Sequence, residues 1–334
     1  MPIRRLLLVA AVLPSLALAR SQQPPAGPRN PVLTGADPHL SVACGRWWIY
    51  PTNAVDPKDG FRAERFYGYS SPDLRRWTRS APLIDMADIR WIKDDGAKTH
   101  YLWAPAMAQA NGRYYLYYSV GPQNPTPSRL GVAVSDRPDG PFRDSGRPLL
   151  TGGNGFEAID PMVFVDPASG RPYLYAGGSA GATLRVFELK PNMTEIAREV
   201  ATRTPPRFTE GAFVHLRRGT YYLSYSHGRW NDATYSVHYA VGRSPEGPWT
   251  YRGEILESDA TRKGPGHHAV ARRPGTDEWY VAYHRWDRPG ERGPFRGTRV
   301  TAVQRLEHDG RGGLRTIRMT NAAPPRAPLA ATGC

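Results

Sequence analysis

The chain has 334 residues and a formal net charge of +14 at pH 7, and only five of its 44 basic residues are lysine. The arginines are scattered along the chain and often alternate with acids, whereas a nucleic-acid-binding face requires a basic stripe or a recognisable motif. The sequence therefore predicts no nucleic-acid partner, and we interpret the charge as an arginine-rich, solvated surface.

The N-terminus has the order of a secretory signal. Two arginines precede an apolar run that ends in the small-residue sequence Ala-Leu-Ala. This order predicts a signal peptide over residues 1–19, followed by a Pro-rich leader over residues 20–30. A membrane anchor is the alternative interpretation, but the apolar run is too short to span a bilayer. We expect the mature protein to be secreted or periplasmic and not bound to a membrane.

Five times along the remaining chain, a turn led by glycine or a charged residue precedes a strand-like run of aromatic and apolar residues. The five runs are GRWWIYPT (45–52), NGRYYLYYSV (111–120), GRPYLYAGG (170–178), GTYYLSYSHG (219–228) and DEWYVAYHR (277–285). A second strand-like run follows each of them, and several of these end in a turn that contains proline and glycine. No run of helical period interrupts this pattern.

Five repeats of roughly 50–60 residues, each able to form a four-stranded antiparallel sheet, predict an all-β, five-bladed β-propeller. A two-sheet sandwich is the alternative, but it does not explain the period. We place the propeller in residues 31–320 and predict a disordered tail over residues 321–334. The two cysteines provide no disulfide framework, so Cys44 is expected to be a buried small hydrophobe and Cys334 to lie on the loose tail.

Three acidic residues lie at similar distances ahead of three of the aromatic runs. Asp37, Asp160 and Glu210 are ten, thirteen and eleven residues before the first aromatic residue of the first, third and fourth runs. The strands that open the blades of a propeller converge on its axis, so the three carboxyl groups are predicted to meet in one pit. Each acid alone also fits an ordinary turn or strand start, but three in phase with the repeat favour a function.

A cluster of carboxyl groups fits glycoside hydrolysis. One carboxylic acid protonates the departing oxygen, while a carboxylate deprotonates water on the opposite face of the sugar. The acid needs a raised pKa, which a neighbouring carboxylate and apolar surroundings provide. Three carboxyl groups therefore divide into a base, an acid and a third group that tunes and positions the acid.

The sequence resembles glycoside hydrolase family 43 over about residues 30–310. The motifs that carry the resemblance are, in chain order, GADPHLSV, WAPAMAQANGRYYLYYS, AIDPMVFVD, TEGAFVHLRRGTYYLSYS and GPGHHAVARRPGTDEWYVAYHR. The resemblance implies an inverting enzyme on a five-bladed propeller that acts on arabinofuranosides, xylosides or related plant polysaccharides. It implies that Asp37 is the general base and Glu210 the general acid, and that Asp160 orients this acid and raises its pKa.

The resemblance also implies binding residues. Trp103 matches a position that lines the site, although a core aromatic is a competing interpretation. Arg299 matches an arginine that binds the sugar, and Arg285 is its rival. His267 matches a histidine that faces a calcium ion at the propeller centre; because calcium prefers oxygen ligands, this ion is expected to be held largely through water.

The substrate is less well defined than the reaction. Xylosidases of the family often carry a C-terminal β-sandwich, for which the residues after the propeller are too few, so we favour an α-L-arabinofuranosidase acting on arabinan or arabinoxylan. The alternatives are a β-xylosidase, an endo-arabinanase or an exo-galactanase of the same family. A non-catalytic carbohydrate-binding propeller is the alternative from another class, but it would not need all three acids. We expect a monomer whose partner is a plant cell-wall polysaccharide or oligosaccharide.

Overall fold

The computed structural model of the protein describes residues 27–53, 63–123, 125–179 and 181–334. The predicted signal peptide and most of the predicted leader lie outside the described residues. Five antiparallel sheets surround a central axis, which confirms the five-bladed β-propeller. Within the described part of the chain, no helix is long and apolar enough to cross a membrane.

Each blade is a sheet of consecutive strands whose first member lies at the axis. Blade I consists of β2 (Ala36–Ala43), β3 (Arg46–Thr52), β4 (Arg65–Ser71) and β5 (Thr78–Asp85), after a short N-terminal strand β1 (Leu33–Thr34). Two 3-10 turns, Met86–Asp88 and Arg90–Lys93, lead to the next blade. Blade II consists of β6 (Tyr101–Ala110), β7 (Arg113–Gly121) and β8 (Arg129–Ser135), and two short strands, β9 (Arg143–Asp144) and β10 (Leu150–Thr151), share its outer position.

The remaining three blades follow the same plan. Blade III consists of β11 (Met162–Val165), β12 (Pro172–Ala176), β13 (Arg185–Leu189) and β14 (Ile196–Val200). Blade IV consists of β15 (Glu210–Arg217), β16 (Thr220–His227), β17 (Ser236–Gly242) and β18 (Thr250–Leu256). Blade V consists of β19 (Arg262–Arg272), β20 (Trp279–Asp287) and β21 (Val300–Leu306).

The five aromatic runs of the sequence are the second strands of the blades, β3, β7, β12, β16 and β20, as predicted. Each of these strands is covered by neighbouring blades on both faces, so its apolar residues run continuously instead of alternating with polar ones. In β7, for example, all residues after Arg113 are buried. Large aromatic side chains fill the space between the blades, and the most deeply buried include Trp47, Tyr117, Tyr175 and Tyr280.

The N-terminal strand completes the last blade. β1 pairs antiparallel with β21, with Leu33 opposite Thr301 and Thr34 opposite Val300. Just before it, the Asn30 side chain donates to the carbonyl of Val303 at 2.9 Å. The two ends of the propeller sequence thus form one sheet, which closes the ring and covers the edge that β21 would otherwise expose.

The C-terminal segment 321–334 packs on blade I, which differs from the expected disordered tail. Ala327 is fully buried. Its N–H donates to the carbonyl of Asp73 at 3.1 Å, and its own carbonyl accepts a bond from the Trp47 indole at 2.7 Å. The Ala- and Pro-rich composition of this segment suggested disorder, but its backbone groups find partners on the propeller.

A disulfide bond joins Cys44, in the turn between β2 and β3, to Cys334. The segment passes close to this turn, since a Cβ on Gly45 would lie 2.4 Å from the carbonyl oxygen of Ala330. The predictions of an unpaired Cys44 and a loose Cys334 were therefore wrong. The two residues are 290 positions apart, and only the closed ring brings them together.

Breaking this disulfide should lower thermal stability. We expect Cys44→Ser and Cys334→Ser each to reduce the free energy of unfolding by about 2–5 kcal/mol, because the bond restricts the unfolded chain over a very long loop. Calorimetric melting of the single and double variants measures the effect. Dithiothreitol should lower the Tm of the wild type but not of the double variant; a wild-type Tm insensitive to the reductant would contradict the bond.

Candidate active site

The inner strands share a backbone irregularity near one mouth of the propeller. Five equivalent positions have a positive φ: Asp37 (46°), Ala104 (45°), Asp160 (54°), Gly211 (63°) and His267 (29°). In β2, β6, β15 and β19 a shift of register accompanies it, as in a β-bulge. Outside glycine such a conformation costs about 1–3 kcal/mol, and it occurs preferentially where a side chain has a function. We call this feature the inner-strand bulge.

The bulge surrounds a cavity of about 330 Å³. Six of the predicted site residues line it, namely Asp37, Trp103, Asp160, Glu210, His267 and Arg299. As predicted, the acids lie at the inner strands of blades I, III and IV. The sequence repeat thus located one site from residues more than 170 positions apart.

Asp37 is held as a carboxylate. Its Oδ1 lies 2.9 Å from Nη1 of Arg299, and its Oδ2 accepts a hydrogen bond from the Thr52 hydroxyl at 2.7 Å. Burial alone would raise the pKa of Asp37, but the Arg299 guanidinium and the nearby His267 hold it well below the usual range. Asp37 is therefore ionised over the whole physiological range and available as a base.

Glu210 is in the opposite state. Its Oε1 accepts a hydrogen bond from the Tyr235 hydroxyl at 2.7 Å, and its Oε2 lies 2.8 Å from the Ser179 hydroxyl. Burial and the neighbouring Asp160 carboxylate raise the pKa of Glu210 to about 7, although both hydroxyl groups act to lower it. Glu210 thus carries a proton in mildly acidic solution and can give it away near neutrality.

Asp160 and His267 form an ion pair between these two residues. Nδ1 of His267 lies 3.2 Å from Oδ2 of Asp160. Burial acts to lower the pKa of His267, but Asp160 and the other acids outweigh it and raise it to about 9. The N–H groups of Asp160 and His267 donate to the hydroxyls of Ser119 and Ser226, both at 2.9 Å. The orientation of Asp160 is therefore fixed from both its side chain and its backbone.

The side chains around His267 do not fit a calcium ion bound directly by protein ligands. Calcium takes about six to eight oxygen ligands. Among the residues that the structure describes, no group of three or more histidine, cysteine, aspartate or glutamate side chains is arranged to hold a metal ion, and Nδ1 of His267 faces a carboxylate. An ion held through water at His267 stays a prediction, and no catalytic step below depends on it.

Aromatic side chains from blades II and IV bound the cavity. Trp103 stacks on Tyr101 with ring centroids 5.4 Å apart and planes 11° from parallel. It also packs over Gly121, where a Cβ would lie 2.2 Å from the indole ring. Trp230 contributes a second indole, and the guanidinium carbon of Arg299 lies 5.0 Å from its ring centre. Such flat apolar faces can stack on a sugar.

The structure does not bring Arg285 to the cavity. Its side chain is fully buried, and its guanidinium donates to the carbonyl of Thr320 at 3.0 Å and to the side chain of Asn321. Successive side chains of a strand point to opposite faces, so the preceding residue, His284, is the one that contacts Asp37, at 3.2 Å. Arg299 is thus the arginine of the site.

Several residues of the site were not predicted from the sequence. His284 lies in the YHR stretch that drew attention to Arg285, and a histidine inside an apolar strand is a signal that could have indicated it. Thr52 is the last residue of the first aromatic run, where nothing marked it as functional, and Ser179, Trp230 and Tyr235 lie in loops without a motif.

Comparisons with known proteins identify the family of the chain. The model of glycosyl hydrolases family 43 matches residues 28–312. A β-D-galactofuranosidase of Aspergillus niger is 33% identical over 309 residues, which cover 87% of this chain and 85% of the relative. A xylosidase/arabinosidase of Bacteroides ovatus is 30% identical over 75% of this chain and 85% of its own.

Solved structures show the same relationship. A β-xylosidase/α-arabinofuranosidase of this family from a compost microbial metagenome, solved with xylotriose in a calcium-free form, is 29% identical with a TM-score of 0.66. The match covers 85% of this chain and 94% of that one. The family match extends over nearly all the described propeller. The chain belongs to glycosyl hydrolase family 43 and is a glycoside hydrolase.

Proposed function

We propose that the protein is an inverting α-L-arabinofuranosidase that releases L-arabinofuranose from arabinan or arabinoxylan. The observation that carries the reaction type is the presence, in one cavity, of two carboxyl groups in opposite protonation states. Asp37 is ionised by its pairing with Arg299, and Glu210 keeps its proton up to about pH 7. This is the division that hydrolysis of a glycosidic bond requires.

Each group of the site has a role in this reaction. Asp37 removes a proton from water as the water attacks the anomeric carbon, while Glu210 protonates the departing glycosidic oxygen. Asp160 keeps Glu210 protonated through charge repulsion, and His267 holds Asp160 in place. Inversion follows because water attacks directly from the face opposite the leaving group.

The relatives support a furanoside substrate and also suggest a second candidate. One is named a xylosidase/arabinosidase and another a β-D-galactofuranosidase. α-L-Arabinofuranosides and β-D-galactofuranosides have the same ring configuration and differ by one exocyclic hydroxymethyl group. A site that binds the arabinofuranosyl ring therefore accepts the galactofuranosyl ring if space remains at its exocyclic end.

We also propose that the protein acts outside the cytoplasm. Two features support export. The first is the predicted signal peptide over residues 1–19. The second is the disulfide between Cys44 and Cys334, since structural disulfides form and persist mainly in oxidising compartments. A plant polysaccharide is too large to enter a cell, which agrees with this location.

The substrate and the acid can be tested together. We expect wild-type hydrolysis of an aryl α-L-arabinofuranoside and of an arabino-oligosaccharide, with a Glu210→Ala loss of about 10²–10⁴-fold on the oligosaccharide. The loss should be much smaller on the aryl glycoside, because its leaving group needs little protonation. Glu199→Ala, which removes an exposed glutamate paired with Arg185 on blade III, is the matched control and should leave both rates unchanged.

The same assay separates the alternatives. Aryl β-D-galactofuranoside and β-D-xyloside are assayed in parallel. If the wild type hydrolyses either of them faster than the arabinofuranoside, the proposed substrate is wrong. NMR of the first product should show the anomer inverted relative to the substrate. A retained anomer, or equal Glu210→Ala losses on both leaving groups, would contradict the assigned roles.

The pH dependence of kcat/KM should reflect the two pKa shifts. Activity should fall as pH rises through about 7, because Glu210 then loses the proton that it donates. On the acidic side, activity should persist below the usual titration range of aspartate, because Asp37 stays ionised there. A pH–rate profile on the oligosaccharide measures both limbs; a plateau that extends to pH 9 or above would rule out Glu210 as the group behind the basic limb.

Removing the positive charge beside Asp37 should move the acidic limb of the pH–rate profile to higher pH. In Arg299→Met, the pKa of Asp37 rises, so Asp37 becomes protonated at a higher pH and activity is lost earlier as the pH falls. Arg285→Met is the matched control, since Arg285 is equally buried but bonds to Thr320 and Asn321. It should lower the Tm without moving the limb, and coincident acidic limbs in both variants would refute the pairing.

A further inference from the structure

We propose that Tyr235 is a positioning residue that determines which oxygen of Glu210 carries the catalytic proton. The inference rests on the proposed role of Glu210 as general acid. Tyr235 lies in the loop between β16 and β17 and is 1% exposed. No sequence motif marks it as functional.

The two oxygens of Glu210 have different surroundings. Oε1 accepts from the Tyr235 hydroxyl at 2.7 Å, and Tyr235 does not line the cavity. Oε2 accepts from the Ser179 hydroxyl at 2.8 Å, and Ser179 does line the cavity. Oε1 is therefore occupied from the protein side, and Oε2 is the oxygen on the side where the substrate binds.

The Tyr235 hydroxyl remains protonated and so remains a hydrogen-bond donor to Oε1. Burial and the charge of Glu210 raise the pKa of the Tyr235 phenol well above its ordinary value, so the hydroxyl stays a donor throughout the working range. A donor to Oε1 favours the acid in which Oε1 is the carbonyl oxygen and Oε2 carries the proton. The Ser179 hydroxyl, which donates to Oε2 of the carboxylate, can rotate and accept from the protonated Oε2 instead.

The proton transfer then involves Oε2. The O–H bond at Oε2 breaks and its proton binds the glycosidic oxygen, which takes the electron pair of the breaking bond to the anomeric carbon. Water supplies the new oxygen at that carbon, and its proton goes to Asp37. Glu210 ends as a carboxylate that still accepts the bond from Tyr235.

The ring of Tyr235 is held in place independently of its hydroxyl. It stacks on the ring of His284, with centroids 5.6 Å apart and planes 5° from parallel. Gly266 packs against it as well, because a Cβ there would lie 2.2 Å from the tyrosine ring. His284 in turn accepts a bond from the N–H of Asp37 at 3.1 Å. A change that removes only the hydroxyl should therefore leave the surrounding packing intact.

The substitution Tyr235→Phe tests the inference. We expect kcat on an arabino-oligosaccharide to fall on the order of ten-fold, with little change in KM or in the rate on an activated aryl arabinofuranoside. The other groups that act on Glu210, namely Asp160, His267 and Ser179, stay in place. Because the bond from Tyr235 is stronger to the carboxylate than to the neutral acid, its loss raises the pKa of Glu210, and the basic limb of kcat/KM should move to higher pH.

Tyr117→Phe is the matched control. Tyr117 is as deeply buried, and its hydroxyl donates to the carbonyl of Met193 at 2.7 Å, away from the cavity. This variant should lower the Tm without changing the leaving-group dependence or the basic limb. If Tyr235→Phe behaves as Tyr117→Phe does, the inference is overturned.

A second variant gives a result of opposite sign. Incorporation of 3-fluorotyrosine at position 235 keeps the hydroxyl but makes it a stronger donor, so the basic limb should move to lower pH; an unmoved limb contradicts the inference. Glu210→Ala is assayed in the same series. If its loss does not depend on the leaving group, the acid assignment itself fails; if it does and Tyr235→Phe shows no such dependence, only the role of Tyr235 fails.

Discussion

Three carboxyl groups are buried together at the mouth of the propeller, and the site depends on how their charges are compensated. A buried ion without a partner costs several kcal/mol. Asp37 is paired with Arg299 and Asp160 with His267, whereas Glu210 has only neutral hydroxyl donors. The carboxyl group without a cation of its own is therefore the one that retains a proton. The same repulsion that would destabilise three carboxylates divides them into base and acid.

The inner-strand bulge supplies the geometry for this cluster. Its five equivalent positions are repeated around the axis, but only some of them carry a reactive group. In blade II the position is Ala104, whose N–H donates to the Thr52 hydroxyl at 2.8 Å. Thr52 in turn donates to Asp37. The blade without an acid thus supports the base through its backbone and contributes Trp103, the preceding residue, to the cavity wall.

The spacing of the five aromatic runs predicts those features of the structure that recur in every blade. It located Asp37, Asp160 and Glu210 at one mouth because inner strands converge, whatever the loops between them do. It pointed to Arg285 and missed His284, because a shift of one residue exchanges the two faces of a strand.

Contacts between blades that are distant in the chain could not be predicted from the sequence, for a different reason. Tyr235 and Ser179 reach Glu210 from loops whose paths no local pattern determines. The bond between Cys44 and Cys334 and the pairing of β1 with β21 depend on how the ring closes. Residues far apart in the chain meet there, and their separation alone gave no indication of it.

Ring closure also assembles half of the active site. The base comes from blade I, and its partners Arg299 and His284 come from blade V, whereas the acid Glu210 and its donors come from blades III and IV. Beside the paired strands β1 and β21, the N–H of Gly35 donates to the carbonyl of Arg299 at 3.1 Å. The contact that closes the propeller therefore also holds the arginine against the base. Opening this seam would separate Asp37 from its counter-charge while leaving the acid and its donors together, so loss of the base is the first functional consequence of local unfolding there.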